Sequence, residues 1–338
     1  MKLKKAEERI LLWGNTIPGN TGLSKLDIMK PDHSLTMQDI FTKYPGIWDK
    51  STEEMGDMRG NDTLTWREEI ENGYAKETYS DEPFLVPYLV EGSDKCVIAC
   101  PGGAYMSKSM ESEGEDIATF LNAAGISCFV LWYRTYPYHI PYMFLDCQRA
   151  VRYVRAHAAE YGIDPNKIAT VGFSAGGNLC GVQALVYRDK AVEIEGYIPD
   201  EIDAIDGRPN AVGLIYPAVS LEDDKALAAI AGIEVYNDKE ARMALAATMD
   251  MRTHVQEGDA PMFLCNAFDD DVLPAIRLAE LAKACNENQV PVELHMFPNG
   301  GHGFGGCVER PNPFAKPDYS AVYQWKELFV QWLGRVLD

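Results

Sequence analysis

One short segment constrains the fold of this 338-residue chain more than any other, namely Gly-Phe-Ser-Ala-Gly-Gly at 172–177. It follows an apolar run at 168–171 and precedes a stretch with helical spacing at 175–188. A serine at such a strand-to-helix turn has strained backbone angles, and the flanking glycines remove side chains that would meet the neighbouring strands. The following helix directs its free N–H groups toward the serine. Ser174 is therefore the candidate nucleophile of an enzyme.

Strand-like and helix-like segments alternate from residue 84 to the end of the sequence. The strands are near-continuous apolar runs, which is typical of strands covered on both faces. Strands are predicted at 84–89, 95–100, 127–132, 168–172, 211–216, 262–267 and 292–297. Helices are predicted at 115–124, 143–161, 175–188, 275–286 and 321–337. The alternation predicts an α/β fold with a mostly parallel central sheet and helices on both faces.

Two parts of the chain lie outside this alternation. Some 45 residues separate the fifth and sixth predicted strands, far more than a simple crossover needs. Segments 226–233 and 239–249 have helical patterns, so residues 217–260 are predicted to form a helical cap inserted over the end of the sheet. Residues 1–80 are the least patterned and are predicted to be an N-terminal extension that packs on the domain of residues 81–338.

Loops after two later strands carry the other groups that a serine nucleophile needs. Of six histidines, His302 is the one set among four glycines, in a loop after the last predicted strand, and it is the candidate base. Three aspartates follow the preceding strand, and we predict that Asp270 orients the imidazole, with Asp271 as the second choice. The order serine, aspartate, histidine along the chain is that of the α/β hydrolases.

A serine nucleophile also needs backbone donors for the oxyanion. The segment Pro-Gly-Gly-Ala at 101–104 follows the second predicted strand, where an early strand–helix loop supplies such donors. Gly102 and Gly103 let the backbone approach a carbonyl oxygen closely, and the N–H of Ala175 would complete the site. These three residues are the predicted oxyanion hole.

Aromatic side chains in loops at the carboxyl ends of the strands are candidates for substrate contact, because such loops surround the site in this architecture. The residues chosen are Tyr105, Tyr136 and Phe304. Packing of the loop tyrosines against the scaffold is an equally good interpretation and stays open.

Charge, cysteine usage and missing motifs exclude several classes of protein. With 51 acidic and 31 basic side chains the net charge is −20, and no basic run offers a nucleic-acid surface. The eight cysteines form no CxxC pair and are predicted to be reduced and structural.

The charged start of the chain and the lack of an 18-residue apolar run predict a soluble cytoplasmic protein with no membrane partner. No P-loop, HExxH or dinucleotide motif is present, so neither a cofactor nor a metal is expected, and a homo-oligomer stays open.

Four stretches resemble the α/β-hydrolase carboxylesterases, and within them a group of bacterial esterases linked to acetylated sugars and xylan. They are IDPNKI leading into GFSAGGNL, then CPGGAY, APMFLCNAFDDDVLP and VELHMFPNGGHGFG, with a weaker likeness in ILLWGNTIPG near the start. Ala104 stands where that group has glycine, and Pro101 stands where related lipases have histidine. The resemblance covers residues 84–338 and implies an α/β-hydrolase fold and hydrolysis of small acyl esters, acetylated sugars among them.

Two other functions are weighed against this one. A serine peptidase of the prolyl-oligopeptidase or acylaminoacyl type shares the serine turn and the residue order, although residues 1–80 are too few for the propeller that screens peptides. A non-enzymatic binding protein with this fold would have no reason to keep candidates for all three catalytic roles. We therefore expect a serine carboxylic-ester hydrolase whose partner is a small-molecule ester, acting through an acyl-enzyme intermediate.

Overall fold

The computed structural model describes residues 9–20, 68–71, 74–77, 82–106, 108–136, 138–190, 192–221, 226–308 and 318–338. Within these ranges the strands are β1 (Ile10–Leu11), β2 (Glu68–Glu71), β3 (Tyr74–Glu77), β4 (Phe84–Tyr88), β5 (Cys96–Cys100), β6 (Ser127–Trp132), β7 (Ile168–Phe173), β8 (Ala211–Ile215), β9 (Met262–Ala267) and β10 (Val292–Phe297). Eight of them form one sheet in the order β1–β4–β6–β5–β7–β8–β9–β10, and β2 pairs with β3 separately.

The sheet is mostly parallel, as the alternation predicts. Strands β5 to β10 pair in parallel, whereas β4 runs antiparallel to β6, and β1 runs antiparallel to β4. All seven predicted strands are present, with ends that differ by a residue or so. Strand β1 is missing from the prediction because it has two residues, and its pairing with Leu85 and Phe84 depends on tertiary contact rather than on a local pattern.

The α-helices in the described ranges are α1 (Asp116–Ala123), α2 (Tyr142–Ala156), α3 (Ala175–Val182), α4 (Ala226–Ala231), α5 (Ile233–Asn237), α6 (Lys239–Thr248), α7 (Ala275–Glu287) and α8 (Trp325–Leu337). Three predicted helices change type along their length, and the last of them begins as a 3₁₀ turn at Val322–Gln324 before α8. The one after β6 ends at Ala156 and continues as a 3₁₀ turn at Ala158–Tyr161, and α3 continues as a π-helical turn at Gln183–Tyr187.

Helices cover both faces of the sheet, as the buried side chains of β6 demonstrate. Phe129 and Leu131 pack in a cluster with residues of α2 and α3, such as Val151 and Leu179. Cys128 and its alternate neighbours pack in a second cluster, with residues of α1 and α8. All six β6 residues are buried, whereas the edge strand β10 is half-exposed. This explains why the central strands are continuous apolar runs.

The segments predicted as cap and extension are described only in part. Helices α4 to α6 lie within the predicted insertion, Leu227 and Ile230 are fully buried, and the Ile230 carbonyl accepts the N–H of Ile140 at 2.6 Å. Residues 9–20 pack on the core, but residues 21–67 lie outside the described residues. The boundaries at 80, 217 and 260 therefore stay predictions. Among the helices described here, none combines the length and apolar character that crossing a bilayer requires.

A buried ion pair joins the N-terminal segment to the sheet. Arg134, just after β6, donates from Nε and Nη2 to the Asp146 carboxylate of α2 at 2.9 and 2.7 Å, and both side chains are inaccessible to solvent. Trp13 donates its indole N–H to the same carboxylate at 3.1 Å, and the Pro18 carbonyl accepts a hydrogen bond from Arg134. Against the opposing effect of burial, Asp146 raises the pKa of Arg134. The guanidinium therefore stays charged in the core.

Removing one charge of this pair will destabilise the fold strongly. Asp146→Asn leaves the Arg134 guanidinium buried without a counter-ion, which typically costs about 3–5 kcal/mol of unfolding free energy. The matched control is Asp206→Asn, because Asp206 pairs with Arg208 at an exposed position and such pairs contribute about 1 kcal/mol or less. Urea unfolding of both variants measures the difference, and equal losses would contradict the assignment.

Candidate active site

Ser174 lies at the sharp turn between β7 and α3. Its backbone angles, φ 51° and ψ −117°, fall in a region that side chains rarely adopt. The turn requires close backbone approach on both sides: a Cβ atom on Gly172 would lie 2.1 Å from the Gly176 carbonyl oxygen, and one on Gly176 would lie 2.0 Å from the Cys100 carbonyl oxygen. The spacing of the two glycines around the serine therefore has the steric cause that the sequence suggested.

The structure brings Ser174, His302 and Asp270 together in one line of hydrogen bonds. The Ser174 Oγ lies 2.9 Å from His302 Nε2, and His302 Nδ1 lies 2.9 Å from Asp270 Oδ2. Both His302 and Asp270 are buried, and Ser174 is half-buried. Because a carboxylate accepts from Nδ1–H, Nε2 is left to accept the hydroxyl proton of the serine.

The three consecutive aspartates after β9 have different surroundings. Asp270 accepts the N–H groups of Val272 and Leu273 through Oδ1, at 2.9 and 2.8 Å, while Oδ2 faces His302. Asp269 accepts the N–H of Gly301 at 2.8 Å. This bond joins the turn after β9, which carries the three aspartates, to the loop after β10 that carries His302, here called the histidine loop. Asp271 is exposed. The first choice among the three acids is therefore the one in contact with the imidazole.

The structure corrects one member of the predicted oxyanion hole. The N–H of Gly102 donates to the Glu113 carboxylate at 2.6 Å, so it is not available to a substrate oxygen. Ala175 is the first residue of α3, where a backbone N–H has no partner within its own helix. Gly103, whose φ is 138°, continues the loop beside Gly102. Gly103 and Ala175 stay the predicted donors, whereas the Gly102 N–H joins its loop to the Glu113 carboxylate.

Sequence reasoning missed two buried polar residues, Glu113 and Tyr216. Glu113 accepts the Gly102 N–H with one oxygen and the Tyr216 hydroxyl with the other, at 2.9 Å. Burial raises the pKa of Glu113, against the opposing effects of these two hydrogen bonds and of nearby His302. Burial likewise raises the pKa of Tyr216. In the sequence Glu113 belongs to the run Glu-Ser-Glu-Gly-Glu, which resembles a solvated turn and gives no signal of burial.

The three aromatic residues predicted to contact substrate are almost inaccessible to solvent. Tyr105 is fully buried and donates its hydroxyl to Asn178 Oδ1 at 2.7 Å. Phe304 packs edge-on against Tyr216 with ring centroids 4.5 Å apart, and Tyr136 is buried in the core. These residues lie in loops, as predicted, but their rings are buried in the protein interior. They therefore pack against the scaffold, which was the alternative to substrate contact.

All eight cysteines are buried and unbridged, which agrees with the expectation of structural thiols. Among the described residues, one group of side chains has the spacing of metal ligands: the sulfur atoms of Cys100, Cys147 and Cys180 lie within 4.8 Å of one another. These thiols could hold a thiophilic ion, but they belong to the hydrophobic core. The line from Ser174 to Asp270 does not include them.

The sheet order and the sharp turn at Ser174 are those of an α/β hydrolase, and comparison with known proteins assigns the chain to the esterases of this fold. The BD-FAE family model matches residues 84–284, more than half of the chain, and the dienelactone hydrolase family model matches residues 245–337. The chain therefore belongs to the BD-FAE family.

Several known proteins are similar to this chain. It is 29% identical over 275 residues to endo-1,4-beta-xylanase B of Butyrivibrio fibrisolvens, covering 78% of this chain and 42% of that protein. It is 29% identical over 231 residues to an acetylxylan esterase of Xylanibacter ruminicola, covering 65% and 43%. The chain thus spans less than half the length of these curated relatives. Among solved structures, an acetyl ester-xyloside bifunctional hydrolase from Caldicellulosiruptor lactoaceticus is 32% identical with a TM-score of 0.64, over 75% of this chain and 88% of that one.

Proposed function

We propose that this protein is a serine carboxylic-ester hydrolase that acts on small acyl esters, acetylated sugars among them. The observation that carries the proposal is the continuous line from Asp270 through His302 to Ser174, with both contacts at 2.9 Å. A nucleophile, a base and an orienting acid at hydrogen-bond distance are what acyl transfer through a serine requires. The esterases among the relatives support the choice of an ester as substrate.

The reaction follows from the positions of these groups. His302 Nε2 takes the proton of Ser174 as Oγ attacks the ester carbonyl carbon, and the C=O electron pair moves to the oxygen. The C–O bond to the alcohol then breaks, and the alcohol leaves with the proton from His302. Water attacks the acyl-enzyme in the same way, and the acid and free Ser174 are regenerated. Asp270 keeps the imidazole in the tautomer that can accept at Nε2.

The oxyanion is held by backbone N–H groups at the end of β5 and the start of α3. Gly103 and Ala175 supply the donors in this proposal, since the N–H of Gly102 is bound to Glu113. The amino end of α3 adds a partial positive charge next to Ser174, where negative charge develops on the substrate oxygen. Donors that are fixed before the reaction stabilise the transition state without reorganisation.

The preference for sugar esters rests on the relatives. The acetylxylan esterase and the acetyl ester-xyloside hydrolase are named for acetylated xylose compounds, and the latter covers three quarters of this chain. The peptidase function has no comparable support among these relatives.

A substrate panel tests the proposal. We expect p-nitrophenyl acetate and acetylated xylo-oligosaccharides to be hydrolysed with a kcat/KM at least about 100-fold above that for aminoacyl p-nitroanilides, because an amide is the harder bond to break and the relatives described above include esterases. Acetate release and nitrophenol or nitroaniline absorbance measure the rates, with Ser174→Ala protein as the blank. Faster anilide than ester cleavage would favour the peptidase, and no turnover of either would favour a binding protein.

A further inference from the structure

A buried carboxylate that is not one of the three catalytic candidates lies directly behind residues 101–104, here called the oxyanion loop. Glu113 belongs to a π-helical turn, Glu111–Glu115, between β5 and α1, and its side chain is 3% exposed. One carboxylate oxygen accepts the Gly102 N–H at 2.6 Å and the other accepts the Tyr216 hydroxyl at 2.9 Å. Both oxygens of this buried acid therefore have donors from other parts of the chain.

Tyr216 extends the connection from Glu113 to the loop that carries His302. Its hydroxyl oxygen accepts the N–H of Gly305 at 2.9 Å while the proton points to Glu113. Its ring lies edge-on to the His302 imidazole, with centroids 5.0 Å apart. Tyr216 follows β8 with φ 38°, a left-handed conformation that costs free energy in a non-glycine residue. The chain thus holds this ring and hydroxyl in place despite local strain.

A backbone contact runs parallel to this side-chain connection. Ser112, next to Glu113, accepts the N–H of Gly306 at 2.8 Å. A Cβ atom on Gly305 would lie 2.6 Å from the same Ser112 oxygen, so the histidine loop is in close contact with the π-helical turn. One short turn therefore touches both the oxyanion loop and the histidine loop.

We propose that Glu113 is a positioning residue, whose carboxylate fixes the oxyanion loop through Gly102 and the His302 loop through Tyr216 in a single arrangement around Ser174. The inference rests on the proposed ester hydrolysis and adds a residue to it. Glu113 touches no reacting atom. It acts on the geometry of the groups that do.

The physical reason lies in the tight packing at Gly102. A Cβ atom there would be 2.8 Å from the Ser174 Cβ and 3.0 Å from Glu113 Oε2, so the loop has almost no room beside the nucleophile. The Gly102 N–H is bound to Glu113, and the Gly102 carbonyl, which shares a peptide plane with the Gly103 N–H, accepts the N–H of Ser109 at 2.9 Å. Both peptide planes of Gly102 are therefore held, and the second sets the direction of the Gly103 N–H. A misplacement of about 1 Å at such a site can cost about 100-fold in rate.

Burying an acid is unfavourable unless hydrogen bonds compensate. Glu113→Gln keeps the size of the side chain but replaces one acceptor oxygen by a donor N–H₂. Either the Gly102 N–H or the Tyr216 hydroxyl then faces a donor. Tyr216→Phe removes a single hydroxyl, and the Gly305 N–H loses its acceptor. The two variants therefore disturb the same connection from opposite ends.

The test compares Glu113→Gln, Tyr216→Phe and the double variant, with Glu111→Gln on the same turn as the matched control. We expect Glu113→Gln to lower kcat for p-nitrophenyl acetate by about 10- to 100-fold with KM changed less than about threefold, since the loss falls on the transition state. Tyr216→Phe should lower kcat by about 3- to 30-fold, and the double variant should be no slower than Glu113→Gln, because groups that act as a unit are not additive. Glu111→Gln should stay within about twofold of wild type.

Titration of active serine with an organophosphate separates positioning from a purely structural role. Positioning predicts a full complement of reactive Ser174 in each variant and a lower rate per site, whereas a structural role predicts fewer active sites at an unchanged rate per site. Inactive wild-type protein would refute the proposed esterase function and not this inference. Wild-type kcat in Glu113→Gln, or effects that multiply in the double variant, would overturn the inference. If Glu113→Gln does not fold, wild-type kcat in Tyr216→Phe would overturn it.

Discussion

Ser174→Ala will abolish nearly all turnover, lowering kcat for p-nitrophenyl acetate by about 10⁶-fold, which is the scale found when a serine hydrolase loses its nucleophile. The alcohol oxygen that forms the acyl bond is then missing, while the oxyanion donors at the start of α3 remain and leave a small residual rate. The fold should be unaffected, because the Ser174 side chain caps no N–H of α3. Rate and melting temperature are measured on the same sample.

The matched control for this variant is Ser320→Ala. Ser320 is an exposed serine whose hydroxyl contacts Asp318 on the surface. Its replacement should leave kcat within about twofold of wild type, as surface substitutions do. A Ser174→Ala protein that keeps more than about one hundredth of the wild-type kcat would contradict the assignment of the nucleophile.

Asp270→Asn will cause the second large loss, about 10⁴-fold in kcat. Asparagine still offers Oδ1 to the N–H groups of Val272 and Leu273, so the turn after β9 is kept. Its N–H₂ group, however, faces His302 Nδ1 and favours the tautomer that carries its proton on Nε2. That tautomer cannot accept the proton of Ser174, and the nucleophile is not activated.

The neighbouring Asp271 gives a control one residue away with the same change of charge. Asp271 is exposed, so Asp271→Asn should change kcat by less than about threefold. Steady-state kinetics at saturating ester compares the two variants. If Asp271→Asn caused the larger loss, the orienting acid would have to be reassigned to Asp271, which was the second choice from the sequence.

Local patterns explain why so much of this fold could be predicted from the sequence. The strands are buried on both faces, so each is a continuous apolar run such as β6, and the loop glycines mark the turns between them. The residues Ser174, Asp270 and His302 follow strands at recognisable positions, and parallel strands direct their carboxyl ends to one edge of the sheet. Three distant residues could therefore be grouped before any geometry was known.

Other parts of the site depend on contacts that no local pattern encodes. Glu113 and Tyr216 are 103 residues apart, and their hydrogen bond exists because β8 and the turn before α1 meet behind the oxyanion loop. The other carboxylate oxygen of Glu113 accepts the N–H of Gly102, which sequence analysis predicted to be a donor to the substrate oxygen. Burial of Tyr105 and Phe304 likewise follows from packing against residues distant in sequence, Phe144 and Tyr216, rather than from their loop positions.

The central claim is that ester hydrolysis proceeds through a covalent bond at Ser174, and covalent labelling tests it directly. Wild-type protein is treated with an organophosphate ester such as paraoxon, and intact-mass and peptide mass spectrometry measure the number and place of the adducts while ester hydrolysis is followed in parallel. We predict one adduct per chain on the peptide that contains Ser174, loss of hydrolysis in step with labelling, and no adduct in Ser174→Ala protein. Hydrolysis that continues in fully labelled protein, or inactivation with the adduct on another residue, would contradict the account.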